Sequence, residues 1–206
     1  MMDLYEMTMA NGYFNDQDKD TRVAFDVFYR SNPDGGGFAI FAGLEQILEY
    51  IENLHFDEED IAYFRSLNIF TEDFLAYLKD FKFSGDIYAF KEGTIMYPNE
   101  PIITVVAPLI DAQLIETALL AQVNHQSLIA TKTRRIVSAA EGRAVSDFGA
   151  RRAHNMDAAV YGASQGKMTS GTWLNIYAVW DKFPQLDAYN RYFTLKQAEN
   201  GEIPTE

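Results

Sequence analysis

Six cations, Lys132, Arg134, Arg135, Arg143, Arg151 and Arg152, fall between Thr131 and Arg152, opposed only by Glu141 and Asp147. The chain as a whole carries a formal net charge of −13, so this is a local reversal of sign. Guanidinium forks suit carboxylate and phosphate groups, and a gathered set of them describes an anion site. The densest part runs from Asp147 to Asp157, where a strand-like end, a glycine, an arginine pair and His154 adjoin a helix start. Arg151 and Arg152 follow the predicted strand end, the place where ligands collect in α/β sheets. A plainer reading covers the others: Arg134 and Arg135 finish a long helix and offset its dipole, and Arg143 is solvated. His154 can titrate near neutrality or bind a phosphate oxygen, or it is simply a packed or solvated side chain in a first helical turn. By periodicity alone Tyr5 reads as a core aromatic.

Several kinds of chemistry are excluded or left without support. There is no GxxxxGK[ST] loop, no GxGxxG and no HExxH, and His55, His125 and His154 are scattered. No metal site is therefore expected. The chain has no cysteine, hence no disulfide, thiolate ligand or cysteine nucleophile. Its acidity argues against a general nucleic-acid or membrane-surface binder, because phosphate backbones need a basic face. No apolar run reaches the ~18 residues of a membrane span. The start, MMDLYEMTMANGY, lacks a basic segment followed by an apolar core, so a soluble cytoplasmic protein is expected.

The scaffold reads as mixed α/β. Residues 3–14 predict a helix burying Leu4, Met7 and Tyr13. Val23, Phe25, Val27 and Tyr29 alternate as in a strand, and a second strand is predicted over Phe38 to Phe41. Gly43 precedes an amphipathic helix carrying Leu44, Ile47, Leu48, Ile51 and Leu54. Asp57 and Thr71 are placed to cap two further helices, with acidic first turns that suit the helix dipole. From Asp86 to Pro108 the period shortens, predicting a compact β unit. Leu109 to Ile129 predicts a buried helix or helix pair, Ala144 to Phe148 a strand, and the residues after Arg151 another helix. That alternation suggests βα units.

Four ordered blocks resemble the nicotinate phosphoribosyltransferase family: DLYEMTMANGYF at 3–14, FDVFYRSNPDGGGFAIFAGLEQILEYIENL at 25–54, the segment EGTIMY to KTRRI at 92–136, and DFGARRAHNMDAAVYGAS at 147–164. The resemblance covers about residues 1–164. It implies an N-terminal α+β domain over 1–108 and the start of an irregular type II phosphoribosyltransferase α/β barrel over 109–164; residues 165–206 do not align to it and read from their own pattern as a divergent, mainly helical tail, with an amphipathic helix around Ile176, Tyr177, Val179 and Trp180 and an aromatic-rich end. It implies that nicotinate displaces pyrophosphate from phosphoribosyl pyrophosphate to give nicotinate mononucleotide for NAD synthesis, with ATP and Mg2+ used in turnover but not held tightly by this chain. Arg151 would face the nicotinate carboxylate. Tyr5, from the neighbouring subunit of a homodimer, would stack on the pyridine ring, and Phe148 would help frame it. Thr131, Lys132, Arg152 and His154 would lie near the site.

The match breaks after Ser164. Family members carry a Gly-Thr-x-Ala-His-Ser segment whose histidine is phosphorylated by ATP; here Gly171-Thr172 is followed by Trp173-Leu174-Asn175, and no histidine follows His154. No catalytic residue is assigned on this basis. Two expectations follow: a shortened member of the enzyme family, or a non-catalytic nicotinate-binding or assembly subunit derived from it.

Overall fold

Alternating Val23, Phe25 and Val27 form strand β1 (Arg22–Val27), with these three side chains turned inward and Arg22, Ala24 and Asp26 exposed. Tyr29 lies beyond the strand end and still packs against the same core. The computed structural model describes residues 2–16, 20–143, 145 and 147–162, and the chain divides into two units, Met1–Ser127 and Leu128–Glu206. The helix expected around Ile176 to Trp180, the aromatic-rich end and the Gly171-Thr172 pair lie outside the described residues.

In the first unit, α1 (Leu4–Asn15) precedes β1, and β2 (Ala39–Ile40) leads into α2 (Leu44–Asn53), α3 (Glu58–Ser66) and α4 (Glu72–Lys79). Strands β3 (Asp86–Ala89), β4 (Ile95–Met96) and β5 (Ile103–Pro108) then precede α5 (Leu109–Leu114) and α6 (Glu116–Ala139), which continues into the second unit. The helices and sheets together bear out the mixed α/β class. The run from Asp86 to Pro108 is not a self-contained β unit, however. β5 is the centre of an antiparallel sheet ordered β1-β5-β3, while β4 pairs with β2. Backbone pairing explains this: the N–H and C=O groups of β5 are matched by β1 along one edge and by β3 along the other.

Two apolar clusters hold the unit together. One joins the sheets to α2 and α6 through Phe41, Ile47, Ile103, Val105 and Leu119; the other joins α1, α3 and α4 through Met7, Ile61, Phe74 and Leu78. Helix α5 is the seam. Its Ile110 and Leu114, four apart and thus on one face, enter the helical cluster, whereas Ala112 and Ile115 enter the sheet cluster.

Local expectations fared unevenly. Asp57 caps α3, its Oδ1 accepting from the N–H groups of Glu59 and Asp60 at 2.8 and 2.9 Å. Thr71 occupies the cap position of α4 but makes no cap bond; its hydroxyl turns to Asn11 and Asn15 of α1 instead. Leu4 is not buried: it is 55% exposed, because the inward face of α1 is made by Glu6, Met7 and Ala10. Leu48 likewise faces outward on α2, where Ile47 and Ile51 do the packing.

Candidate functional site

In the second unit the residues from Asp147 onward form a turn where a strand was expected. The described residues 145, 147 and 148 are not in a strand. Asp147 takes the local hydrogen bond that competes with extended pairing: its Oδ1 accepts from the Gly149 N–H at 2.6 Å. A Cβ at position 149 would sit 2.8 Å from the same carboxylate oxygen, so a larger residue there would displace the Asp147 side chain. A single 3-10 turn follows over Ala150–Arg152, closed by Arg152 N–H to the Gly149 carbonyl at 2.8 Å. The next helix, α7, is described over 156–162 and starts later than expected because Asn155 caps it, its Oδ1 accepting from Ala158 N–H at 2.8 Å. His154 therefore precedes the helix and is not in its first turn.

This geometry brings Phe148, Arg151, Arg152 and His154 into one short segment outside regular helix and strand, with all four exposed. Phe148 shows 59% of its surface to solvent. Neither Arg151 nor Arg152 makes an ion pair among the described residues, so both guanidinium groups can receive an anion. Other members of the basic stretch differ. Arg143 stands 4.0 Å from Glu141 after the helix end, as the plainer reading expects. Arg134 and Arg135 do not finish α6, which continues to Ala139. Thr131 is buried and Lys132 exposed, as neighbours about 100° apart on a helix must be when one faces inward.

Tyr5 belongs to the first unit. It is no core aromatic: 44% of it is exposed on α1. Its phenol pKa is raised, first by partial burial and then by the hydrogen bond and charge of Glu116. The next residue, Glu6, was not singled out from sequence, yet it is fully buried. Its Oε2 accepts from Asp3 N–H at 2.7 Å and its Oε1 from Thr117 N–H at 2.6 Å. The break between α5 and α6 at Ile115 is thus filled by an acid from α1, which caps the start of α6. Two other acids act similarly within the first unit. Glu92 Oε1 accepts from Gly43 and Leu44 N–H, both at 2.7 Å, and Asp111 Oδ2 accepts from the Ser84 N–H and hydroxyl at 2.8 and 3.0 Å.

The first unit also has a groove of about 310 Å3 between β1 and the α5–α6 junction, lined by Phe25, Val27, Val105, Ile115 and Leu119, with Asp26 and Glu116 as its charged groups. Among the described residues it contains no cation or histidine. Among the described residues no group of three or more His, Cys, Asp or Glu side chains is placed to hold a metal ion, and no helix is long and apolar enough to cross a membrane.

Comparison with known proteins agrees with the sequence blocks. The nicotinate phosphoribosyltransferase (NAPRTase) N-terminal domain matches residues 1–124. Nicotinate phosphoribosyltransferase pncB2 of Mycobacterium tuberculosis is 47% identical over 157 residues, which are 76% of this chain and 34% of that protein. The Bacillus subtilis nicotinate phosphoribosyltransferase is 47% identical over 161 residues, 78% of this chain and 33% of that one. The crystal structure of human nicotinic acid phosphoribosyltransferase superposes with a TM-score of 0.73 at 30% identity, covering 81% of this chain and 35% of the human one. A nicotinate-nucleotide pyrophosphorylase from Pyrococcus furiosus shares the fold, with a TM-score of 0.60 at 24% identity. The chain spans about a third of the length of the curated relatives it matches. It belongs to the nicotinate phosphoribosyltransferase family.

Proposed function

We propose that this chain serves in phosphoribosyl transfer to nicotinate, giving nicotinate mononucleotide and pyrophosphate from nicotinate and phosphoribosyl pyrophosphate. The observation that carries the proposal is Arg151, an exposed guanidinium with no ion pair among the described residues, three positions after the exposed Phe148. A guanidinium fork matches the nicotinate carboxylate, and an aromatic edge or face suits its flat ring. Arg152 and His154, on the same segment, are the groups we assign to phosphate oxygens, with Lys132 and Thr131 as more remote contributors. Tyr5 supplies the stacking ring in a homodimer, each copy lending its Tyr5 to the nicotinate held by the other. The cytoplasm, where pyridine nucleotides are assembled, is the proposed location.

ATP and Mg2+ belong to the reaction as the family resemblance implies it. The described residues offer no cluster of metal-ligating side chains, so no step is assigned through Mg2+ here.

Calorimetric titration of the full chain with nicotinate tests the assignment. Arg151→Ala should weaken binding by roughly 1.5–3 kcal/mol, the range for a hydrogen bond to a charged group. Nicotinamide, which lacks the carboxylate charge, should bind weakly to the parent and be nearly indifferent to the substitution. Nicotinate affinity that survives Arg151→Ala overturns the carboxylate assignment. A steady-state assay with nicotinate, phosphoribosyl pyrophosphate and ATP then separates enzyme from binding subunit, because only the former makes mononucleotide above background.

A further inference from the structure

The side chain of Glu6 joins two helix starts that are far apart in sequence. Within α1 it reaches back to the N–H of Asp3, and across 111 residues it takes the N–H of Thr117 in the first turn of α6. Both bonds are short, and the side chain has no exposed surface. A helix start leaves its first N–H groups without partners inside the helix, so this one carboxylate ties the first turn of α1 to the first turn of α6. Tyr5 is the preceding residue, about 100° around the same helix, and stands on its exposed side. Its neighbour Glu116 is itself held by Gln113, whose Nε2 donates to Glu116 Oε2 at 2.8 Å.

We infer that Glu6 is a positioning residue for Tyr5: by tying the first turn of α1 to the first turn of α6, it sets the direction in which the Tyr5 ring projects. The inference rests on the reading that Tyr5 stacks on nicotinate. Its consequence is that the acid of the Asp-Leu-Tyr-Glu sequence serves binding without touching ligand. Glu6→Gln is the informative change. It keeps the size of the side chain but replaces one acceptor oxygen with an NH2 group that opposes one of the two N–H donors.

NMR of the full chain with ring-labelled tyrosine reads the order of the Tyr5 ring directly, with its signal assigned by Tyr5→Phe. Tyr88, 62% exposed, provides the internal reference for an unconstrained ring. In the parent, Tyr5 should be more ordered than Tyr88. Glu6→Gln should loosen Tyr5 to the Tyr88 level, leave Tyr88 unchanged, and weaken nicotinate binding about tenfold, or ~1.4 kcal/mol. In a Tyr5→Ala background the same Glu6→Gln change should cost no further affinity, which a merely structural role would not produce. The inference is overturned if Tyr5 is as mobile as Tyr88 in the parent, if Glu6→Gln leaves ring order unchanged, or if the affinity loss persists without the ring. Should Glu6→Gln fail to fold, Glu6→Asp and the Tyr5 to Tyr88 comparison in the parent decide the matter. If Tyr5→Ala leaves nicotinate affinity intact, the stacking reading fails, and ring order still decides whether Glu6 positions Tyr5.

Discussion

Removing the carboxylate of Glu92 should release the first N–H groups of α2 from a remote anchor. Gly43 is the N-cap of that helix and adopts φ +104°, a conformation that glycine accepts readily and that brings its Cα against α6. A Cβ there would meet the Gln122 carbonyl oxygen at 3.0 Å, so the cap cannot be supplied by a Ser, Thr or Asp at position 43. Glu92 supplies it from 49 residues away, with one oxygen 2.7 Å from both Gly43 and Leu44 N–H. A charged hydrogen bond contributes roughly 1.5–3 kcal/mol, which bounds the pair at about 6 kcal/mol. The site is half-buried, so water recovers part of that on deletion, and Glu92→Ala should cost ~2–3 kcal/mol. Glu92→Gln keeps an acceptor but loses the charge at the positive end of the helix dipole, a loss of ~1 kcal/mol. Glu45→Ala, which removes an exposed acid from the same first turn, should cost less than either. Urea titration followed by circular dichroism gives the totals, and amide exchange at Gly43 and Leu44 gives the location. A loss below about 0.5 kcal/mol for Glu92→Ala, within the range of an ordinary surface change, would refute the capping argument. Unchanged exchange at both amides would refute it equally.

Two pH effects follow from buried groups in the first unit. The Tyr77 phenol is pushed up to about 12, mainly by burial and then by the charges of Asp111 and Asp20. The unfolded chain gives up that proton near the ordinary 10.0 while the folded chain keeps it, so this contribution to stability is whole below pH 10.0 and is lost as pH rises through about 12. Tyr77→Phe should flatten the alkaline limb of a thermal-melt series; an unchanged limb would show that the phenol ionises without unfolding. Asp111 has its pKa raised above the ordinary 3.8, by burial first, against the lowering effect of its bonds from Ser84. The folded state then holds the proton longer than the unfolded one, and the contribution falls as pH rises from below 3.8 through the raised value. Asp111→Asn, which keeps an acceptor for Ser84, should gain on the parent as pH increases from acid toward neutrality. A parent that instead gains on the variant over that range would mean that the Ser84 bonds outweigh burial.

What could be read from the chain was what acts over a few residues. Period two at Val23, Phe25 and Val27 and the cap at Asp57 were legible because the pattern and its partner lie within one element. The pairing of β4 with β2 was not, since a two-residue strand carries too little pattern to choose a neighbour. The strand expected before Phe148 failed for a related reason. Asp147 bonds the backbone two residues on, a local preference of that side chain that competes with an extended run. For the candidate site, local charge points to the Arg151 loop as a place for anions, whereas periodicity alone makes Tyr5 a core aromatic, which its exposure contradicts. The family resemblance supplied the role of Tyr5, and only its exposure is visible in the fold.

The residues that sequence reading passed over share one physical property: they are acids whose partners are remote backbone N–H groups. Glu6 reaches Thr117, Glu92 reaches Gly43 and Leu44, and Asp111 reaches Ser84, over separations of 111, 49 or 48, and 27 residues. In a linear reading each counts only toward a net charge of −13, which is informative about what the chain avoids and silent about what holds it. Within the first unit these carboxylates do what a salt bridge network would do in a chain richer in cations. Backbone N–H groups at helix starts and turns are present whatever the composition, so an acidic sequence can be cross-linked through them without matching lysines or arginines. Scarce cations are then left for other duties, and Arg151 and Arg152, exposed and without ion pairs among the described residues, are where that freedom is visible. Glu6→Gln and Glu92→Gln, the acid-to-amide changes at the two helix starts, should therefore loosen the scaffold without altering the charge of the arginine loop, whereas Arg151→Ala should do the reverse.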